Sequence, residues 1–347
     1  MKERCDLLIV GTGISGSVLA YESQKLGLDY LILTSERNSL ANTSSMSNAH
    51  CRIPDKNQVE ECVRLSVEKC GDSEDCVRYV YERADLAREL YDELGIYYQR
   101  RSFGIIPISG KVRAGFIVLD KLHQRLNNIS ENTKLVGLCK EGTSYRAVVQ
   151  HGLERKEIKA DKVIFATGGF GGRFKDSDCF RYKDYNSLEV AKNVGANLKN
   201  LENVFFHPFG YNNGKSILTG KESSAGEFFR ADGSLLFTEE MSKLVRADNY
   251  HERFEDLEKV VEAEIGKGGK VLFRSNGREI VISPSAHYTA GGIETDKYGK
   301  VKGCENVYAI GECRADGSRN GGRLPGYAFT EAIVHGLTLA RRFVGGD

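Results

Sequence analysis

The sequence predicts an α/β chain built on a parallel sheet, with a small antiparallel meander beside it and a second region inserted late in the chain. Three observations predict it. An apolar run at residues 5–10 ends in Gly11-Thr12-Gly13-Ile14-Ser15-Gly16, followed by an amphipathic segment and a second apolar run at 30–33. Another apolar run, 162–166, ends in its own glycine turn, Thr167-Gly168-Gly169. Residues 209–283 then change character, being more charged and lacking any glycine turn after a strand.

The first of these is strand, glycine turn, helix, strand, the pattern of a dinucleotide-binding unit. Gly11 permits the tight turn, Gly13 lets main chain reach a pyrophosphate, and Gly16 lets the helix pack on the strand. The helix N-terminus then supplies amide donors and a favourable dipole. One part of the fingerprint is missing. The acid expected at the end of the second strand, to bind a ribose, is replaced by Thr34 and Ser35, and Glu36 comes slightly late.

Residues 38–57 are polar and without periodicity, and two readings stand: a surface loop, or a loop of small donors laid over a cofactor. From 58 to 98 apolar residues recur at helical spacing with a break near Gly71-Asp72, which predicts two helices. Residues 134–160 alternate in short runs, including Leu135-Val136-Gly137, and predict an antiparallel meander. A helix is expected around 188–198, followed by Phe205-Phe206-His207-Pro208. The chain closes on Ser-Ala-His287-Tyr-Thr-Ala-Gly291-Gly292, an apolar strand ending Gly311-Glu312, and Gly322-Arg323-Leu324-Pro325-Gly326. His287 offers an imidazole and Arg323 a rigid fork, beside glycines that allow close approach of main chain.

Composition sets bounds. A chain of 347 residues holds one large domain or two modest ones. Hydrophobic residues make up 40% and charged residues 28%, near the globular average. A net charge of +1 gives no whole-chain argument for nucleic acid or an anionic membrane as partner. No apolar stretch approaches the ~20 residues that span a bilayer, and Lys2-Glu3-Arg4 running into a strand is not a signal peptide. A cytoplasmic protein is the expectation. The nine cysteines match no zinc or iron–sulfur spacing and are expected to be packing thiols, with no metal site.

Taken in order, these motifs resemble the FAD-binding flavoprotein family of fumarate reductases, succinate dehydrogenase flavoprotein subunits and L-aspartate oxidases. The likeness is carried by the GxGxxG turn, Ala-Thr-Gly-Gly, Phe-His-Pro, His-Tyr-x-x-Gly-Gly-Ile, Tyr-Ala-x-Gly-Glu and a glycine-flanked Arg-Leu. It implies a Rossmann-like FAD-binding domain with parallel sheet and β-meander, interrupted by a smaller α+β capping domain. The expected parts are 1–208 and 284–347 for FAD and 209–283 for the cap. It also implies a flavin that exchanges a hydride with a small carboxylate or dicarboxylate. The electron acceptor is not indicated.

By the same resemblance, Gly11, Gly13, Ser15 and Gly16 bind the pyrophosphate, Thr34 and Ser35 the ribose region, and Val136, Thr167 and Gly168 the adenosine half. Asn42, Thr43 and Ser44 form the loop beside the flavin, Glu312 bonds the ribityl chain, and Ala328 and Phe329 fall at flavin-side positions. His287 and Arg323 match the pair that holds a substrate carboxylate, the arginine bidentately, with His207 a weaker candidate. Asn42 stands where membrane succinate dehydrogenases carry the histidine that links flavin covalently, so FAD is expected to be non-covalent.

Two departures bear on the substrate. The cap arginine that delivers or removes the substrate proton is absent from residues 219–227, where Lys221 stands as a substitute or as a surface lysine. The family's asparagine and serine after Arg-Leu-Gly-Gly are also lost. The first reading is therefore an FAD-dependent oxidoreductase of a small carboxylate. Its alternative is a flavin-binding electron-transfer protein or divergent paralogue without dicarboxylate turnover. A bare NAD-binding module ranks last because it leaves Gly311-Glu312 unexplained.

Overall fold

A single strand, Glu154–Phe165, joins the two halves of the main sheet. Its first half pairs antiparallel with Ser144–His151, which in turn pairs with Thr133–Glu141. Its second half pairs in parallel with Arg4–Val10 on one side and Val307–Ala309 on the other. The sequence reading ended the meander at 160 and began a new strand at 162. The chain instead runs through, and the polar pair Asp161-Lys162 marks where the strand passes from meander to parallel sheet, with Asp161 3.2 Å from Arg4.

The structure is a computed structural model that describes residues 2–101, 104–181, 185–246, 254–315 and 323–345. These divide into two units, one of residues 1–170, 182–203 and 289–347, the other of 171–181 and 204–288. The second unit contains the whole range expected for the cap, 209–283, together with flanking residues and 171–181.

In the first unit the parallel strands continue through Tyr30–Leu33 to Ile129–Ser130 at one edge. Leu7, Leu8, Ile9, Ile32 and Ile164 are at most 1% exposed, as strands covered on both faces require. Helix Ile14–Lys25 packs on the sheet, and the long C-terminal helix Tyr327–Phe343 packs against it. Buried Glu22 on the first helix meets Arg341 on the last at 2.8 Å, so the two ends of the chain close one layer.

The region expected to form two helices holds three, Val59–Leu65, Glu74–Tyr81 and Asp85–Glu93, the first extended by a wider turn to Cys70. The break at Gly71 is where the sequence places it, in the left-handed region with φ 69°. The second break is a run of tight turns, Arg83 and Ala84 donating to the carbonyls of Val80 and Tyr81. A small sheet orders Leu198–Lys199, Gly292–Glu294 and Arg314–Ala315. Side chains at Gly291 and Gly292 would overlap the carbonyls of Asn200 and Cys313, so this glycine pair brings main chain against main chain.

The second unit has a five-stranded antiparallel sheet, ordered Ser216–Ile217, Gly210–Tyr211, Arg278–Ile282, Val271–Ser275 and Glu227–Arg230. Helices Glu239–Arg246 and Phe254–Gly266 belong to it. Phe209, Phe228, Phe237, Leu257, Val261 and Phe273 form its core. It also holds Val204–His207 paired with Ser285–Thr289, a strand whose last residue belongs to the first unit. Among the described residues, no helix is long and apolar enough to cross a membrane.

Leu8 sits at 0% exposure in the core between the meander and the parallel strands. Leu8→Ala should cost about 3 kcal/mol of stability through lost burial and the cavity left behind, read as a lower denaturation midpoint in urea.

Candidate functional site

Three loops of the first unit meet at the carboxyl ends of the parallel strands, the position where open α/β sheets take ligands. The first, residues 11–16, leads from Arg4–Val10 into helix Ile14–Lys25. A side chain on Gly11 would overlap the carbonyl of Ala166, and its φ of 115° suits glycine. The second loop, 166–170, follows Glu154–Phe165. The third, Gly311–Cys313, follows Val307–Ala309, and a side chain on Gly311 would overlap the hydroxyl of Ser15. The N-terminal glycine turn and the C-terminal Gly-Glu block are therefore in contact.

Glu312 is anchored at this junction. Its Oε1 accepts from the Thr289 amide at 3.0 Å and the Thr289 hydroxyl at 3.1 Å. The Thr289 hydroxyl also accepts from the Phe170 amide at 3.3 Å. A side chain on Gly169 would overlap both Glu312 and Thr289. Thr289 was not among the residues the sequence singled out; a hydroxyl directly before Ala290-Gly291-Gly292 was its only signal.

The polar segment at 38–57 supports the first loop. Asn42 caps the short helix Thr43–Met46 through the Ser45 amide at 3.0 Å, and its own amide donates to the carbonyls of Ser39 and Thr12. Asn42 thus builds the loop with all of its polar atoms. Ser44 accepts from the Ile14 amide at 3.1 Å and faces Gly13. Beneath lies His123, another residue the sequence did not single out. Ser17 donates to the Thr12 carbonyl and so accepts from His123 Nε2 at 2.8 Å, which makes Nδ1 the acceptor from Ser39 at 3.1 Å. Burial lowers the pKa of this imidazole, in keeping with that neutral form.

Helix Ile14–Lys25 begins at Gly13, which has no side chain to cap the first turn. This terminus fits a pyrophosphate, with glycine at 11, 13 and 16 and main-chain donors ahead of a twelve-residue helix. Thr34 is buried and accepts from the Glu36 amide at 3.2 Å, while Ser35 donates to Glu36 at 3.4 Å. Glu36 itself is only 7% exposed, so an acid does stand by the second strand, displaced along the chain from its usual place. Val136 lies on edge strand Thr133–Glu141 where the register skips from Leu135 to Gly137, a bulge that takes its main chain out of the ladder. Thr167 accepts from Ser187 at 3.1 Å, and Gly168 takes φ 69°. Ala328 and Phe329 lie in the first turn of the last helix, with Phe329 packed in the core that includes Ile14 and Val18. Cys313 is 1% exposed and donates to the Phe165 carbonyl; burial raises its pKa to about 11, so it is a packing thiol.

His287 and His207 are on the paired strands of the second unit, with ring centroids 5.7 Å apart. His207 is 4% exposed and accepts the Phe209 amide at Nδ1, which places its proton on Nε2. The His287 side chain is 40% exposed and its Nδ1 lies 2.8 Å from Asp178 Oδ2. A carboxylate on one ring nitrogen orients the imidazole and leaves the other nitrogen to face a ligand. Asp178 had no sequence signal, because it is more than a hundred residues from its partner.

Arg323 lies in a buried charge cluster of the first unit. Its side chain is 6% exposed, with Nη1 3.5 Å from Asp72 and 3.9 Å from Glu331, and its guanidinium 5.0 Å from the Tyr327 ring. The other oxygen of Glu331 binds Arg314 at 2.9 Å, and both of those side chains are 1% exposed. Arg314 also reaches Thr295 and His335. The fork expected to grip a substrate carboxylate thus faces two carboxylates of the chain itself.

The signature of the FAD binding domain family matches residues 6–269 and 241–328. The chain is 25% identical to an L-aspartate oxidase of Clostridium perfringens over 378 residues, 96% of this chain and 85% of that protein. An L-aspartate oxidase of Pyrococcus horikoshii is 23% identical, over 96% of this chain and 76% of that one. In fold, the chain matches an Escherichia coli quinol fumarate reductase flavoprotein with a TM-score of 0.82 at 17% identity, covering 99% of this chain and 70% of that one. It also matches a 3-ketosteroid Δ1-dehydrogenase from Sterolibacterium denitrificans with a TM-score of 0.76 at 13% identity, covering 99% of this chain and all of that one.

Two measurements follow from this geometry. Because the folded state holds His123 neutral and lowers its pKa, its contribution is complete above the ordinary value near 6.5 and is lost as pH falls below it. The fold should therefore lose stability as pH falls below about 6.5, and His123→Gln should flatten that limb of the stability–pH curve, read by urea denaturation. Separately, Asp72→Asn should cost about 3 kcal/mol by leaving Arg323 short of a buried partner. Asp72→Leu with Arg323→Met should cost at least about 1 kcal/mol less than the sum of the two single changes, measured by urea denaturation.

Proposed function

The chain belongs to the FAD binding domain family, and from that premise we propose that it moves a hydride between non-covalent FAD and a small organic acid. It is an FAD-dependent oxidoreductase of the group that includes L-aspartate oxidases and fumarate reductases. The observation that carries the cofactor reading is the junction of Gly11, Gly311 and the Thr289–Glu312 pair. Gly11 to Gly16 and the start of helix Ile14–Lys25 would take the pyrophosphate. Glu312, with one oxygen held by Thr289, would accept from a ribityl hydroxyl. Val136, Thr167 and Gly168 would line the adenosine half, and Thr34, Ser35 and Glu36 the ribose. Bound FAD supplies a two-electron, hydride-exchanging centre.

The substrate side is proposed more coarsely. His287, oriented by Asp178, would bind the acid's carboxylate through its other nitrogen, with His207 alongside. L-aspartate and dicarboxylates such as fumarate are the substrates named in relatives, and a small acid is the class those names support. A second reading has its own observation. Arg323 faces Asp72 and Glu331, which favours a flavoprotein that has kept its cofactor and lost dicarboxylate turnover.

The purified protein should be yellow, and acid precipitation should leave the flavin in the supernatant. Flavin pelleting with the protein would exclude non-covalent binding, and a protein that takes up no FAD would remove the whole reading. An anaerobic panel of succinate, aspartate and small monocarboxylates should bleach the colour. His287→Ala should raise the substrate constant at least about tenfold, the loss of one charged hydrogen bond. If no acid bleaches the flavin and fumarate does not reoxidise it once reduced, the second reading holds.

A further inference from the structure

Between Leu94 and Leu119 the sequence contains Arg100, Arg101, Lys111 and Arg113 and no acidic residue, within a chain whose net charge is +1. The same stretch supplies an unusual share of the exposed large apolar residues: Tyr97 at 84%, Ile108 at 62%, Val112 at 49% and Phe116 at 40%. The fold gathers them. Strand Tyr98–Arg101 is the outer strand of a three-stranded sheet, paired to Gly104–Pro107, with Arg100 and Arg101 exposed. Ile108 donates its amide to Tyr97, so these two lie together past the end of the pair. The turn at 109–112 then leads into helix Ala114–His123, which presents Phe116.

This face is continuous with the loop that organises the nucleotide site. Gly115 donates to the Ser47 carbonyl and sits against Ser44, the residue that accepts from the Ile14 amide. Met46, 44% exposed, lies between Ser45 and Ser47 on that loop. Arg113 reaches Asn48 at 3.4 Å. In sequence the stretch is bordered by Asp92, held by Tyr98, by Glu93, held by Lys25, and by Asp120, held by Gln124.

We propose that this basic and apolar face docks an acidic one-electron carrier protein. The proposal rests on the flavoprotein reading, since a bound flavin needs an electron partner. Three of the four cations are arginines, whose planar forks pair with carboxylates and are enriched in protein interfaces. Exposed aromatic and aliphatic residues among them provide the dry contact at the centre, and unpaired positive charge speeds encounter with a negative partner. The exposed main chain of the outer strand adds a protein-specific element that a lipid surface would not use. Two reduced carriers, each giving up one electron, would with one proton from solvent bring oxidised flavin to its two-electron-reduced form.

The test is binding of the FAD-loaded full chain to a plant-type ferredoxin and to a flavodoxin, both acidic, with basic cytochrome c as the contrast. Affinity for at least one acidic carrier should fall at least about tenfold between about 0.05 and about 0.3 M salt. It should fall similarly in Arg100→Glu/Arg101→Glu, and Ile108→Ser should weaken it without changing the salt slope. Lys267→Glu, a charge change on the second unit, should leave it unchanged. Oxidised flavin should be reduced faster by the reduced carrier that binds, and the charge-reversed variant should lose that advantage while its flavin is still photoreduced. Equal binding of cytochrome c, binding indifferent to the Arg100/Arg101 change, or no binding of either acidic carrier would overturn the proposal. Binding instead to phosphatidylglycerol vesicles, lost in the same variant, would assign the face to a membrane. A chain that takes up no FAD would remove the flavoprotein reading, a result separate from any of these.

Discussion

The meeting of the three loops depends on places where no side chain can be tolerated. Gly11 lies against the carbonyl of Ala166, Gly311 against the hydroxyl of Ser15, and Gly169 against Glu312 and Thr289. Each contact locks the loop after one parallel strand to the loop after another. Strands in a parallel sheet lie ~4.8 Å apart, so loops at their carboxyl ends converge only if the main chains nearly touch. Glycine is the one residue that permits it. The junction is thus a consequence of three strand ends being brought together, and Glu312 is held by Thr289 within it.

Around that glycine junction the fold builds a supporting polar layer. Asn42, Thr12, Ser17, Ser39 and His123 form a hydrogen-bonded set beneath the first loop. None of them needs to touch a ligand to matter, because their bonds hold the turn from which the first helix starts. A neutral imidazole can accept from one hydroxyl and donate to another, which is the role His123 fills. Protonation would turn its accepting nitrogen into a donor and reverse the bond to Ser39, while placing a charge in a buried site.

The residues proposed for the substrate have a different character. A buried arginine with two buried carboxylates is a self-sufficient unit, and removing any member leaves an uncompensated charge. Arg314, Glu331, Arg323 and Asp72 form such a unit. It ties the turn before the last helix to the segment between Cys70 and Glu74. His287 is in another situation, substantially exposed and with Asp178 at its Nδ1. Of the two residues that the family resemblance pairs at a substrate carboxylate, Arg323 is buried against two acids of the chain, and His287 is partly exposed beside one.

The sequence by itself determined the α/β class, the strand–turn–helix start, the break at Gly71 and the family. These rest on local patterns: periodicity, glycine position and short motifs, all set by interactions within a few residues. Gly311-Glu312 after an apolar strand was a local signal too, but the fold is what brings that loop against Ser15. Tertiary structure alone decided what Arg323 and His287 face. Asp72 lies some two hundred and fifty residues from Arg323, and Asp178 over a hundred from His287, and no spacing rule connects them. It also decided that Asn42 supports its loop and that the meander and the parallel sheet share one strand. A buried polar group must find its partner wherever the fold brings one, and that choice is made in space, beyond the reach of neighbouring residues in the chain.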